Sequence, residues 1–127
     1  MSFKSPLNQV MGLGSAGGGT HHWWHQRLTA VAMVPLGLWF AFSLIGIDLG
    51  SREALVSWIG EPLTAVLLSL TSACLIYHSW LGISVVVEDY VGGKGAKIVC
   101  LTTSSLAHAF LLAVCLFSIL KIALGAG

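Results

Sequence analysis

Charge is what this 127-residue chain has least of. Five acidic and six basic residues leave only 9% of it charged, against about 25% in ordinary soluble domains. A domain this small has much surface for its volume and needs polar groups to cover it. Water is therefore excluded as the solvent for most of this surface, and lipid takes its place. The net charge of +1 excludes the basic face that a nucleic-acid partner requires. Cysteine is nearly absent. Cys74, Cys100 and Cys115 sit in apolar stretches, are odd in number and match no metal spacing, so they read as small buried hydrophobes. Residues 1–20 lack the apolar core of a cleavable signal and the Arg-rich pattern of a transit peptide. With Gly12, Gly14 and Gly17-Gly18-Gly19, they read as a flexible tail or one draped on a partner.

What is present in quantity is apolar, 56% of the chain. Crossing a hydrocarbon core of ~30 Å as helix takes about 20 apolar residues. Three stretches qualify: Leu28 to Ile47, Leu63 to Val87, and about Ile98 to Leu124. Each is too long for a strand, and a helix satisfies its own backbone in lipid. The expected fold class is an all-α membrane protein of three transmembrane helices, over about 28–47, 63–90 and 96–124. These form one anchor domain, 21–127. Pro62 suits a first helical turn, Gly92-Gly93 a helix stop, and Pro35 a kink inside the first span. The first loop holds Ser51-Arg52-Glu53 ahead of Trp58, a pattern for a short interfacial helix. Lys4, Arg27, Lys94 and Lys97 on one side face Arg52 and Lys121 on the other, which favours a cytoplasmic N-terminus.

The ionisable residues inside the spans carry the chemistry. At ~1.5 Å per residue, His78 lies ~16 Å from Asp89 at the end of its helix, near the middle of the bilayer. An ionisable group there is costly and marks function by default. Thr71, Cys74, His78, Gly82, Val85 and Asp89 fall along one helix face, small and polar enough to face other helices. Two readings of His78 stand side by side: an axial haem ligand, or a neutral imidazole hydrogen-bonded between helices. His108 lies at matching depth, yet packed helix axes ~8–10 Å apart leave no room for an iron between two imidazoles. His108 therefore reads as a structural hydrogen bonder beside Ser104 and Ser105. Glu88-Asp89-Tyr90 and Arg27 both read as interfacial, suited either to anchoring or to holding a polar head group. His21 and His25 are four apart, a spacing open to a metal, but no carboxylate or cysteine joins them and Trp23-Trp24 suggests an aromatic belt.

Taken in order, these motifs resemble one family. His78-Ser79-Trp80-Leu81-Gly82 followed by Glu88-Asp89-Tyr90-Val91 resembles the H-x-W-x-G and D-Y-V signature of the succinate dehydrogenase hydrophobic membrane anchor subunits. His22-Trp23-Trp24-His25-Gln26-Arg27-Leu28-Thr29-Ala30, then Pro35 and Trp39, resembles the first-helix entry of alphaproteobacterial members. The likeness spans residues 21 to about 91, and the third helix matches in length and character only. It implies one half of a heterodimeric haem-binding membrane domain in a bacterial inner membrane. Its partners would be a cytochrome b subunit, an iron–sulfur subunit and a flavoprotein. It further implies His78 as an axial ligand of haem b, with the second ligand from the cytochrome b subunit. Tyr90 would hydrogen-bond ubiquinone, Asp89 would be its neighbouring carboxylate, and Arg27 would lie near a haem propionate or the quinone. The chain itself has no dinucleotide fingerprint and no cluster-ligating cysteines, so it performs no succinate chemistry. Two other classes compete: a small transport or channel component with a His78/His108 proton relay, and a cofactor-free anchor.

Overall fold

The computed structural model describes residues 16–125, and those residues form four helices. Helix α1 spans Ala16–Ile45, α2 Arg52–Gly60, α3 Pro62–Tyr90 and α4 Lys94–Ala123. Three are long and apolar enough to cross a membrane, over His21–Ile45, Pro62–Tyr90 and Lys94–Ala123. At 30, 29 and 30 residues they run ~45 Å each, longer than the hydrocarbon core, so both ends reach the headgroup zone.

The local signals act where the sequence puts them. Ser51 caps α2, its hydroxyl accepting from the Ala54 N–H at 3.3 Å, which satisfies an otherwise orphaned donor. Pro62 opens α3 at a position whose missing N–H costs nothing. Tyr90 ends α3, Val91 caps it and Gly93 caps the start of α4. Lys97 then donates to the Glu88 carbonyl at 2.6 Å, tying the two helix ends across this tight connection. Helix α1 runs through Pro35 without interruption, although the ring leaves the Val31 carbonyl without its helical donor.

The start of α1 differs from expectation. Hydropathy places the first span at Leu28, but the helix begins twelve residues earlier, at Ala16. A lipid-facing segment has no water to satisfy its backbone, so it stays helical even where Gly, His and Trp dilute the apolar run. Part of the segment expected to form the tail is thus helix, and residues 1–15, Lys4 among them, lie outside the described residues.

Helix α3 is the spine. It packs against both α1 and α4, whereas no Cα atoms of α1 and α4 come within 8 Å of each other among the described residues. The short α2 lies against α3 and α4, and its Trp58 stacks on Trp39 of α1 at 6.2 Å between ring centroids. Buried side chains are few: Ala65, Ile76, Leu81 and Ser84, all on α3. Large apolar residues such as Val31, Phe42, Leu63, Phe110 and Phe117 point outward at 69–72% of full exposure, and Leu28, Leu106 and Ile98 at 60–67%, as expected where lipid or a partner is the solvent. Cys100 is exposed and only Cys74 and Cys115 are part-buried, so α4 turns one of the three cysteines outward instead of burying it. Hydroxyls inside the spans are satisfied within their own helices: Ser69, Thr71, Ser84 and Ser118 each donate to the carbonyl four residues back at 2.7–2.8 Å.

Leu81 is the most enclosed side chain, 1% exposed. Leu81→Ala is expected to cost about 2–5 kcal/mol in a detergent unfolding titration. Leu70→Ala on the outward face of the same helix, where Leu70 is 52% exposed, should cost under about 1 kcal/mol by the same logic.

Candidate functional site

The polar centre of the molecule lies where α1 crosses α3. His78 sits ~3 Å from the midpoint of α3 by residue count, and its ring is held by two side chains of α1. Thr29 Oγ1 lies 2.8 Å from Nδ1 and Gln26 Nε2 lies 3.3 Å from Nε2. Directions follow from Thr29, whose own hydroxyl donates to the carbonyls of His25 and Gln26 at 2.9 and 3.0 Å. With its proton directed there, Thr29 is free to accept from Nδ1–H, and that tautomer leaves the lone pair on Nε2. The Gln26 amide then donates to Nε2. Its own Oε1 is buried and has no partner, an arrangement that costs about 1–3 kcal/mol for an unsatisfied acceptor.

Turning the Gln26 amide over would offer Oε1 to an Nε2–H. That tautomer requires Thr29 to hand its proton to Nδ1 and abandon both carbonyls, so the pairing resists it. The Cys74 thiol donates to the Thr29 carbonyl at 3.4 Å, one turn below His78. At Gly82, one turn above, an added Cβ would lie 3.7 Å from Gln26 Nε2, an ordinary contact, so a larger side chain is what would crowd the amide. Of the stripe read from the sequence, Cys74, His78 and Gly82 all meet α1.

A second face of α3 meets α4. Trp80 donates from its indole to Ser105 Oγ at 2.9 Å, and Ser105 passes its proton to the Leu101 carbonyl at 2.8 Å. His108 holds the Ser104 carbonyl at 2.7 Å through Nδ1 and faces Ser79 Oγ at 3.4 Å through Nε2. His78 of α3 thus bonds to α1, whereas His108 of α4 bonds to its own helix and to Ser79 of α3, and among these contacts the two rings do not meet. Between α1 and α3 lies an open cleft of about 340 Å³ lined by His21, His22 and His25 from one helix and Tyr77, Trp80 and Leu81 from the other. The rings of His21 and His25 lie 4.6 Å apart, and Tyr77 Oη is 3.3 Å from His25 Nδ1.

The residues singled out in the sequence separate into two levels. Asp89 and Tyr90 are at the end of α3, Tyr90 84% exposed, ~18 Å along the axis from His78. Arg27 does not join them. The early start of α1 places Arg27 eleven residues inside the helix, between the two partners of His78, where it turns outward with its guanidinium 4.7 Å from the Trp23 ring centre. Sequence reasoning missed Gln26 and Thr29. A polar pair three apart ahead of an apolar run was their only signal, and it does not reveal which helix they face.

Comparison with known proteins points to one family. A family described as succinate dehydrogenase/fumarate reductase transmembrane subunit matches residues 1–120. The succinate dehydrogenase hydrophobic membrane anchor subunit of Rickettsia bellii is 31% identical over 94% of this chain and 88% of its own length. That of Paracoccus denitrificans is 28% identical over 99% of this chain and 97% of its own. The membrane anchor subunit of Reclinomonas americana is 32% identical over 64% and 70%. No solved structure matches the chain.

Space at Gly82 yields a test of the α1–α3 contact. Gly82→Ala is expected to leave the detergent melting midpoint unchanged or slightly raised, since its Cβ meets nothing closer than 3.7 Å and alanine favours helix. Gly82→Leu should displace Gln26 and cost about 1–3 kcal/mol by overpacking.

Proposed function

The chain belongs to the succinate dehydrogenase/fumarate reductase transmembrane-subunit family, and from that premise we propose that it binds haem b through His78 and forms part of a ubiquinone-reducing site at Tyr90. Its established role is that of a multi-pass membrane anchor subunit within an assembly of complex II subunits. The proposal concerns what it does there beyond anchoring.

One observation carries the haem reading. His78 Nε2 presents its lone pair near mid-membrane, and the group that meets it is an amide whose other end is buried without a partner. Rotation of Gln26 away relieves that orphan and opens Nε2 beside the side-chain-free Gly82. A lone pair on Nε2 with the hydrogen on Nδ1 is the arrangement an axial imidazole needs. These residues fit the group. When bound, haem b supplies a one-electron carrier within the membrane. This chain would contribute one ligand and the cytochrome b subunit the other, since α3 offers no second imidazole on the His78 face. Arg27, level with His78 and turned outward, is placed to pair with a propionate. That choice follows from its separation from Tyr90.

At the other level, Tyr90 projects from the end of α3 and the Asp89 carboxylate adjoins it. The phenol would donate a hydrogen bond to a quinone carbonyl, stabilising the negative charge that grows there as electrons arrive from the iron–sulfur subunit. Asp89 would hold or relay one of the two protons that quinone reduction consumes. We place this end on the cytoplasmic side. Arg27 is no longer a flanking charge, so that orientation rests on Lys4, Lys94 and Lys97 against Arg52 and Lys121. The flavoprotein and the iron–sulfur subunit would dock at the same end.

Two measurements test the proposal. A dithionite-reduced minus oxidised spectrum of the gently purified complex should contain a b-type band that His78→Ala removes, and a band unchanged in His78→Ala overturns the ligand assignment. Tyr90→Phe should lower the quinone-reductase rate about 10-fold or more, as loss of a hydrogen bond formed to developing charge does. Succinate oxidation by soluble dyes should stay intact, and unaltered quinone kinetics would assign Tyr90 to the interface alone.

A further inference from the structure

We infer that Thr29 is the positioning residue for His78, fixing both the plane of its imidazole and the nitrogen that carries the lone pair. The inference rests on the haem reading above and gives a role to a residue to which the motifs assign none.

The geometry is a relay of three atoms. The Thr29 hydroxyl hydrogen is shared between the His25 and Gln26 carbonyls at 2.9 and 3.0 Å, and Oγ1 is left as an acceptor 2.8 Å from His78 Nδ1. A hydroxyl that is already donating is polarised into a better acceptor. Donation from Nδ1 makes the opposite nitrogen a stronger base and fixes its tautomer. The Cys74 thiol, bonded to the Thr29 carbonyl at 3.4 Å, pins the same residue from α3, so Thr29 is bound to α3 at both its side chain and its backbone. Thr29 is half-buried in the α1–α3 contact, shielded from lipid. Gln26 does not share this role: its amide occupies the free nitrogen and leaves an orphaned oxygen, which marks it as the group that moves.

The consequence is electronic as well as steric. An imidazole that donates from Nδ1 gives more electron density to a metal at Nε2 and favours the oxidised state. Removing the acceptor therefore raises the reduction potential of a haem ligated there. The test uses the whole complex in native membranes, with haem content per complex and a redox titration of the b-type band as readouts. Thr29→Val keeps the shape and removes the acceptor. It should weaken haem retention about 10–100-fold, the usual effect of losing an outer partner of a ligating histidine, and shift the midpoint upward. Thr29→Ser restores the oxygen and should return both readouts to wild type. If Thr29→Val does not assemble, Thr29→Ala removes the same acceptor without the second methyl and is read in its place. A normal haem content and midpoint in the acceptor-less variant overturns the role of Thr29 while leaving His78 as ligand. A wild-type complex without haem, or haem that survives His78→Ala, overturns the ligand reading and the role of Thr29 with it.

Discussion

The hydrogen bond between His78 and Thr29 is what makes the crossing of α1 and α3 specific. Apolar contact surfaces between helices are as compatible with lipid as with each other, so burial alone gives little reason for one register over another. The imidazole has no such freedom. It must place two ring nitrogens, and both find their partners on α1. Sliding α1 by one turn would strand His78 in an apolar setting, a loss that outweighs any gain from repacked methyl groups. The register of the bundle, the level of Arg27 and the enclosure of Leu81 all follow from this one pairing.

The same constraint explains how the rest of the bundle is satisfied. Serine and threonine hydroxyls inside the spans give their protons to the carbonyl one turn back and keep their oxygens as acceptors. Ser105 uses that spare capacity to hold the Trp80 indole, as Thr29 uses it to hold His78. Each side of α3 is thus fastened by a hydroxyl on its neighbour, α1 on one side and α4 on the other. With α1 and α4 apart, the three spans form a row with open faces, suited to half of a larger membrane domain.

Legibility in the sequence tracked the range of the physics involved. Short-range effects were readable: the short helix over the Ser51–Trp58 segment, Pro62 as a first-turn residue, Gly92-Gly93 as a stop. The three spans were readable because hydrocarbon thickness sets their length. The start of α1 was not, because hydropathy measures side chains, while helicity in lipid is enforced by the backbone, which extends the helix back to Ala16 through His21, Trp23 and Trp24. That single displacement moved Arg27 from the interface to the level of His78. Of the stripe on α3, the sequence located the face correctly. Its partners Gln26 and Thr29 were invisible, since spacing within a segment says nothing about which segment lies opposite.

Arg27 and Tyr90 give the clearest reason why this chain is part of something larger. Arg27 lies ~5 Å by residue count from the midpoint of α1, on the side turned away from α3, with a tryptophan ring as its one aromatic contact. A guanidinium at such depth either reaches toward the headgroups along Trp23 or meets an anion brought by a partner. The first option uses the side chain's full length and leaves its planar fork unpaired. The second satisfies the fork and fixes the partner's position. Tyr90 is 84% exposed at the far level, where an anchor would need only its ring, yet it adjoins a carboxylate and the Lys97-fastened end of α3. Two polar groups held on rigid helices, at levels ~18 Å apart, both face out of the chain, which leaves each open to whatever packs against that face.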